Sequence, residues 1–197
     1  MNVLITGGGG GIAQAIATHF EKYNFYLPTR EELDVTSFFS VREYIKNITD
    51  LNLVINNAGA LYSSSVKDSD PTAWLNDLRV NLLGPYYVTQ EVLKKFTDVK
   101  IINIASAAAY ESYQDWSSYC ASKAGVVTFT KCLAKEGVEA YCICPGGVDT
   151  PFRAKINISS KTLLDPQAIA TLVDDILQKK YTSGDSIVIK TDILEVR

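Results

Sequence analysis

A tyrosine and a lysine stand four residues apart in Tyr119-Cys-Ala-Ser-Lys123. On a helix such residues share one face, and a nearby ammonium favours the phenolate of a tyrosine, whose pKa is ordinarily near ~10. Thirteen residues upstream, Ser106 follows the apolar run 101–105. If that run is a strand and Tyr119 begins the next helix, the serine and the phenol meet at the strand's carboxyl end, where open α/β sheets bind ligands. This arrangement would suit proton transfer, although the same spacing is also common in ordinary amphipathic helices.

The N-terminal segment has the pattern of a dinucleotide-binding turn. A short apolar strand, residues 2–6, runs into five consecutive glycines, and apolar residues then recur at helical spacing from Ile12 to Lys22. Glycines permit a tight turn and close backbone approach, and a helix N-terminus offers free N–H groups to a pyrophosphate. Ala13 occupies the third small position of the pattern, where helix and strand pack closely. The alternative, a flexible glycine linker, does not suit a position between strand and helix.

Arg30 bears on the choice of cofactor. It closely follows a second predicted strand, residues 24–28, and no acidic residue stands at the end of that strand. In dinucleotide folds an acid there binds the ribose 2′-hydroxyl, whereas an arginine accommodates a 2′-phosphate. We therefore expect NADP(H), with NAD(H) as the alternative, although Glu31 and Glu32 weaken the argument. The chain leaves no room for a second crossover helix before residues 33–36, so we expect a shortened loop and a vestigial strand there.

Strands and helices alternate along the rest of the chain. We predict helices at 37–48, 71–95, 117–135 and 167–179, and strands at 51–56, 99–105, 138–144 and 186–190, the last of these being the final strand. Pro85 should kink the helical region that contains Asn81, an asparagine that either holds a water at the kink or lies on the helix surface. The alternation predicts a single α/β domain over residues 1–197, doubly wound around a mainly parallel sheet.

Composition excludes several classes of function. The chain has 197 residues, a net charge of −3 and 47% hydrophobic residues, which gives no electrostatic case for nucleic acid and no apolar run long enough for a membrane span. The N-terminus lacks the features of a signal peptide, so we expect a cytoplasmic protein. We expect the four cysteines to be small buried thiols rather than metal ligands. The single histidine, His19, we place at the surface or in packing rather than in catalysis.

Over nearly its whole length the chain resembles the short-chain dehydrogenase/reductase family. The residues that carry the resemblance are Thr6-Gly7-x-x-x-Gly11-Ile12-Ala13, Asp34-Val35, Asn56-Asn57-Ala58-Gly59, Asn81, Ser106, Tyr119-x-x-x-Lys123 and Pro145-Gly146-x-Val148-x-Thr150. Each motif alone is weak, but their order, spacing and placement at predicted strand ends make the set specific.

The resemblance implies hydride transfer between a nicotinamide and a carbonyl or alcohol substrate. It implies that Ser106 hydrogen-bonds the carbonyl oxygen, that Tyr119 is the acid or base, that Lys123 binds the nicotinamide ribose and lowers the tyrosine's pKa, and that Asn81 holds a water in the proton path. The cofactor-binding residues it implies are Thr6, Gly7, Gly11 and Ile12 at the pyrophosphate turn, Asp34 and Val35 at adenine, Asn57, Ala58 and Gly59 along the cofactor, and Pro145, Gly146, Val148 and Thr150 near the carboxamide.

The chain departs from the family pattern where the substrate is chosen. The loop after Thr150 is brief, the segment after Arg30 is compressed, and the C-terminal region lacks a glycine pair that often accompanies tetramer packing. We expect substrate selection within 107–116 and 147–161, where Ala108, Tyr110, Tyr113, Trp116 and Phe152 suggest an aromatic pocket. We also expect a homodimer or homotetramer through the helices 71–97 and 117–135. A non-enzymatic dinucleotide-responsive regulator and a sugar-nucleotide reductase remain the alternative functions.

Overall fold

The described part of the chain forms one sheet covered by helices on both faces. The computed structural model describes residues 1–154 and 162–197. Its strands are β1 (Asn2–Ile5), β2 (Asn24–Tyr26), β3 (Leu53–Asn56), β4 (Lys100–Ile104), β5 (Ala140–Pro145), β6 (Ser186–Lys190) and β7 (Ile193–Val196). Its α-helices are α1 (Gly11–His19), α2 (Phe38–Lys46), α3 (Pro71–Leu78), α4 (Gly84–Lys95), α5 (Ser117–Lys135), α6 (Pro151–Ala154) and α7 (Pro166–Leu177).

The strand order is β2-β1-β3-β4-β5-β6-β7, and only the β6–β7 pair is antiparallel. The predicted doubly wound, mainly parallel architecture is therefore confirmed. The order reverses between β1 and β3, and the carboxyl ends of the parallel strands meet at one edge. That edge is where such sheets bind ligands, and the loops after β1, β3, β4 and β5 all lie there.

Two apolar layers cover the sheet because its central strands carry nearly continuous apolar runs. Every residue of β3 and of β5 is buried, as a parallel sheet between two helical layers requires. One layer joins α1 and α7 through side chains such as Ile16 and Ile169. The other joins α2, α4 and α5 through side chains such as Ile45, Val92 and Leu133.

Three sequence predictions about elements were wrong. Residues 33–36 form no vestigial strand but a turn, because Leu33 and Val35 insert into the α2–α4 layer instead of extending the sheet. The strand 186–190 is not the last one, since β7 pairs with it in antiparallel fashion. Residues 151–154 form a short helix rather than a loop.

The helical region that contains Asn81 is irregular, as Pro85 predicted, but the irregularity is a π-helical segment, Arg79–Leu83, between α3 and α4. Pro85 has no N–H to offer the carbonyl of Asn81 four residues earlier. The wider π turn accommodates this, with the amide of Gly84 donating to Arg79. Asn81 is buried in this segment, so its placement on the helix surface is excluded.

The cysteines match the prediction only in part. Cys142 and Cys144 are buried on one face of β5 with their sulfurs 3.7 Å apart, but Cys120 is half-buried and Cys132 is exposed. Within residues 1–154 and 162–197 there is no group of three or more His, Cys, Asp or Glu side chains that could hold a metal ion. In the same part of the chain no helix is both long and apolar enough to span a membrane.

Candidate active site

The glycine turn after β1 is built to expose helix N–H groups. Gly7 has φ +65°, a conformation that L side chains rarely adopt. A Cβ on Gly8 would lie 2.4 Å from the backbone of Leu27, so the turn packs directly on the chain after β2. Gly10 caps α1 without any side-chain hydrogen bond. The first amides of α1 are therefore left to an external acceptor, which suits an anion such as a pyrophosphate.

Neighbouring loops hold the glycine turn in place. The hydroxyl of Thr6 accepts hydrogen bonds from the amides of Asn57 (3.0 Å) and Ala58 (3.1 Å). The side-chain amide of Asn57 in turn donates to the carbonyls of Thr6 and Gly7. Thr6 is thus a buried clamp between the ends of β1 and β3 rather than a cavity-lining group.

A cavity of about 490 Å³ lies at this edge of the sheet. Thirteen of the predicted site residues line it: Gly7, Gly11, Ile12, Asn57, Ala58, Gly59, Ser106, Tyr119, Lys123, Pro145, Gly146, Val148 and Thr150. Four of the five predicted pocket residues do so too, namely Ala108, Tyr113, Trp116 and Phe152, whereas Tyr110 does not. Of the predicted selective range 147–161, residues 155–161 lie outside the described part of the chain.

Ser106, Tyr119 and Lys123 meet in this cavity. Ser106 follows β4, and its hydroxyl accepts a hydrogen bond from the amide of Ala108 (3.1 Å), which fixes its position. Tyr119 and Lys123 lie one turn apart on α5, with the ammonium 5.7 Å from the phenol ring centroid. The Nζ of Lys123 donates to the carbonyl of Ile104, at 2.8 Å.

Burial dominates the proton affinities of both α5 side chains. It raises the pKa of Tyr119 to about 12; a hydrogen bond from Ser106 opposes this, while the charge of Asp77 and the thiol of Cys120 add to it. Burial also lowers the pKa of Lys123 to about 8. The net result for Tyr119 is a pKa above its ordinary value, because the low-dielectric surroundings disfavour the phenolate. That Lys123 lowers this pKa stays a prediction.

Asn81 is placed near the cavity without lining it. Its side chain accepts from the amide of Ala60 (2.8 Å) and donates to the carbonyl of Ala60 (2.9 Å) and to the hydroxyl of Ser122 (3.0 Å). The side chain is therefore committed to holding the loop after β3 against α5. Its role in a proton path stays a prediction.

Three further predicted residues lie away from the cavity. Arg30 is exposed on the loop after β2. Burial raises the pKa of Asp34, but hydrogen bonds from Thr36 and the charge of Arg30 outweigh it and lower that pKa. Val35 is buried, and a Cβ on Gly84 would lie 3.0 Å from it. The side chain of Val35 packs against the start of α4, so an adenine contact would have to come from the exposed side of this turn.

Two cavity-lining residues, Gly10 and Leu61, were not among the predicted site residues. Gly147 and Arg153 also line the cavity and fall within the predicted selective range 147–161. Leu61 follows the end of β3 by a few residues, and position in such a loop is a signal that could have found it. Asp77 is the most deeply buried carboxylate of the described residues, 1% exposed, and accepts hydrogen bonds from Ser118 and Tyr62. Nothing in its local sequence distinguishes it from a solvated helix residue.

Comparisons with known proteins find related sequences and a similar fold. The family model for short chain dehydrogenase matches residues 29–161. An uncharacterized oxidoreductase of Staphylococcus aureus (strain MW2) is 35% identical, covering 86% of this chain and 87% of its own. The benzil reductase ((S)-benzoin forming) of Bacillus cereus is 27% identical, covering 94% and 97%. The crystal structure of the 3-ketoacyl-(acyl-carrier-protein) reductase from Brucella melitensis complexed with NADH superimposes with a TM-score of 0.86, at 20% identity and covering 95% and 96%.

Proposed function

This chain belongs to the short-chain dehydrogenase/reductase family and is an oxidoreductase with a nicotinamide-dinucleotide-binding fold, and from that premise we propose that it interconverts a carbonyl compound and its alcohol with NADP(H), using Tyr119 as acid and base. One observation carries the proposal: Ser106, Tyr119 and Lys123 share a single cavity with the glycine turn. The cavity thus brings the proposed reacting side chains beside the turn that would hold the cofactor.

The residues present fit the cofactor. The uncapped N-terminus of α1, with Gly10, Gly11 and Ile12 at the cavity, would hold the pyrophosphate. A Cβ on Gly11 would lie 2.8 Å from Thr150, so a side chain there would close the gap between α1 and the loop after β5. Lys123 would bind the ribose, and Val148 and Thr150 the carboxamide. When bound, the nicotinamide supplies or accepts the hydride at the carbonyl carbon.

The protein's own part in the reaction is orientation and proton transfer. The hydroxyl of Ser106 donates a hydrogen bond to the carbonyl oxygen and orients it. Tyr119 gives its proton to that oxygen as charge develops there. Because burial raises the pKa of Tyr119 to about 12, the phenol is protonated at neutral pH and is ready to act as an acid.

Tyr119→Phe tests the mechanism. We expect at least about a hundredfold loss of kcat, because a positioned acid contributes roughly 10²–10⁴ in rate, with NADPH affinity little changed in a fluorescence titration. Tyr181→Phe is the matched control, since Tyr181 packs beside the α1–α7 layer and does not line the cavity. Turnover of Tyr119→Phe near the wild-type rate would refute Tyr119 as the acid.

We propose an aromatic ketone or diketone as substrate. The Trp116 ring contacts Tyr119 edge-to-face, with ring centroids 5.7 Å apart, and packs at a tilt against Tyr113, with centroids 5.2 Å apart. These rings form an aromatic wall beside the reacting phenol. Phe152 and Leu61 also line the cavity. The similarity to a benzil reductase supports the same class. A panel of aryl diketones, alkyl ketones and sugar nucleotides tests this, and we expect Trp116→Ala to raise KM for aryl ketones several-fold more than for alkyl ketones.

We also propose that the cofactor is NADP(H) rather than NAD(H). Arg30 is exposed where a 2′-phosphate would lie in this fold.

We further propose that the chain self-associates through the helices 71–97 and 117–135. On these helices, the ring of Tyr86, which is 40% exposed, packs edge-on against Phe129, so aromatic surface spans α4 and α5. Sedimentation of the wild type and of Tyr86→Glu tests this: a wild-type monomer would refute it. A cytoplasmic location stays a prediction from the sequence.

A further inference from the structure

A stripe of three side chains joins α3 and the π-helical segment to α5. Trp74, Asp77 and Asn81 stand three and four residues apart and so share one face. Each makes a hydrogen bond to a serine of α5: Trp74 Nε1 donates to Ser117 (3.0 Å), Ser118 donates to Asp77 Oδ2 (2.6 Å), and Asn81 Nδ2 donates to Ser122 (3.0 Å).

Two of these serines immediately precede the reacting side chains. Ser118 precedes Tyr119, and Ser122 precedes Lys123. Both serines are buried, and Ser122 also donates to the carbonyl of Tyr119, at 2.8 Å. The stripe therefore fixes the first turns of α5, and with them the direction in which the phenol and the ammonium enter the cavity.

The same stripe holds the loop after β3. Asp77 Oδ2 accepts from the amide of Tyr62 (2.9 Å), next to Leu61 in the cavity wall. The phenol oxygen of Tyr62 accepts from the amide of Asp70, which caps α3. Asp77 thus connects three parts: the substrate-side loop, its own helix and the start of α5.

Asp77 is the one charged member of the stripe. Burial raises its pKa, and the hydrogen bonds from Ser118 and Tyr62 and the charge of Lys123 oppose this. Its own negative charge raises the pKa of Tyr119 and that of Lys123. The other groups that act on these two side chains are Ser106 and Cys120 on Tyr119, and Cys142 and Cys144 of β5 on Lys123.

We propose that Asp77 is a positioning residue of the reaction, whose carboxylate docks Ser118 and the 61–62 backbone and supplies the negative charge that faces Tyr119 and Lys123. It does not line the cavity and so acts through its neighbours. The inference rests on the proposed function, because the proton that it controls is the one that Tyr119 transfers.

Asp77→Asn separates charge from shape. Ser118 and Tyr62 both donate to Oδ2, so an asparagine oxygen in its place can accept both hydrogen bonds while the negative charge is removed. The pKa values of Tyr119 and Lys123 then fall, so the alkaline decline of kcat for carbonyl reduction moves to lower pH by roughly half a unit or more. Ser118→Ala removes a hydrogen bond but leaves the charge, so it lowers kcat and leaves the pH of the decline unchanged. Asp98→Asn, an exposed charge before β4, is the control and matches the wild type.

A pH profile of Asp77→Asn that coincides with the wild-type profile overturns the proposal. If that variant does not fold, Ser118→Ala carries the test: we expect kcat to fall roughly threefold or more with KM little changed, as the loss of one buried hydrogen bond allows. Wild-type kcat in Ser118→Ala would then refute the positioning role.

A measurement that needs no enzymatic activity separates a failure of this inference from a failure of the proposed function. If the wild type reduces no carbonyl of the panel, the proposed function fails. Hydrogen exchange at the Tyr62 amide still tests Asp77, because Asp77→Ala removes the acceptor of that amide. We expect at least tenfold faster exchange there than in the wild type or Asp98→Asn, corresponding to about 1.4 kcal/mol of lost protection. Unchanged exchange would refute the positioning role.

Discussion

Replacing Lys123 by methionine should remove a large pH dependence of stability together with activity. Lys123 is 4% exposed, and burial lowers its pKa from 10.5 to about 8. The unfolded chain therefore binds one more proton than the folded chain between about pH 8 and 10.5. Stability must rise with pH across that interval, since the charge whose burial is unfavourable is being lost.

The size of this effect follows from the two pKa values. A difference of 10.5 against about 8 corresponds to roughly 3 kcal/mol, at about 1.4 kcal/mol for each pKa unit. At pH 7 methionine removes that cost but leaves the carbonyl of Ile104 without its 2.8 Å hydrogen bond, a loss of about 1–3 kcal/mol. The two changes nearly offset each other at pH 7, so the informative quantity is how the stability difference varies with pH.

Urea unfolding followed by tryptophan fluorescence at pH 7, 8, 9 and 10 measures how the stability difference between the two proteins varies with pH. We expect the free energy of unfolding of the wild type, minus that of Lys123→Met, to increase by roughly 2–3 kcal/mol between pH 7 and 10. Tyrosines whose pKa is raised contribute to both proteins and cancel. Lys131→Met, an exposed lysine on the same helix, is the matched control and should follow the wild type. A difference that stays constant with pH would refute the conclusion that a buried ammonium is present at neutral pH.

Two other substitutions test the cofactor side of the site. Gly8→Ala places a Cβ 2.4 Å from the backbone of Leu27, so we expect a loss of at least about 2 kcal/mol of stability and weaker NADPH binding; an unchanged Tm would contradict the close packing of the turn. Arg30→Ala should weaken NADPH about tenfold through loss of a charge-assisted contact while NADH affinity stays near wild type. Equal losses in fluorescence titrations with the two cofactors would remove the argument for a 2′-phosphate site.

The layers of the fold were predictable because each element repeats its own local period. The helix 117–135 was predicted with the bounds that the structure has, and the side chains of Ser37 and Asp165 cap α2 and α7. The error at 33–36 has a different origin. Alternating Leu33 and Val35 suit a strand, but both side chains are buried in the α2–α4 layer, so tertiary packing decided the outcome.

The site residues that could be predicted are those in the turns that directly follow strands. Ser106 and the residues after β3 and β5 were found because a turn that follows an apolar run is visible in sequence. Asp77 was not found, because an acid on a helix is ordinarily solvated and its burial depends on Ser118 and Tyr62, which are distant in sequence. Retrospectively, the spacing of Trp74, Asp77 and Asn81 against three α5 serines is a signal, but only once the two helices are known to be neighbours.

If Tyr119 is the acid and base, as we propose, its raised pKa predicts faster carbonyl reduction than alcohol oxidation at neutral pH. Burial raises the pKa of Tyr119 to about 12, so the phenol is protonated at pH 7 and serves as an acid rather than as a base. Lys123, with a pKa of about 8, still carries its charge at that pH. Reduction consumes a phenol proton beside an ammonium that stabilises the resulting phenolate, and both groups start in the required state. Oxidation must first remove the phenol proton, so its rate should rise with pH until Lys123 loses its charge.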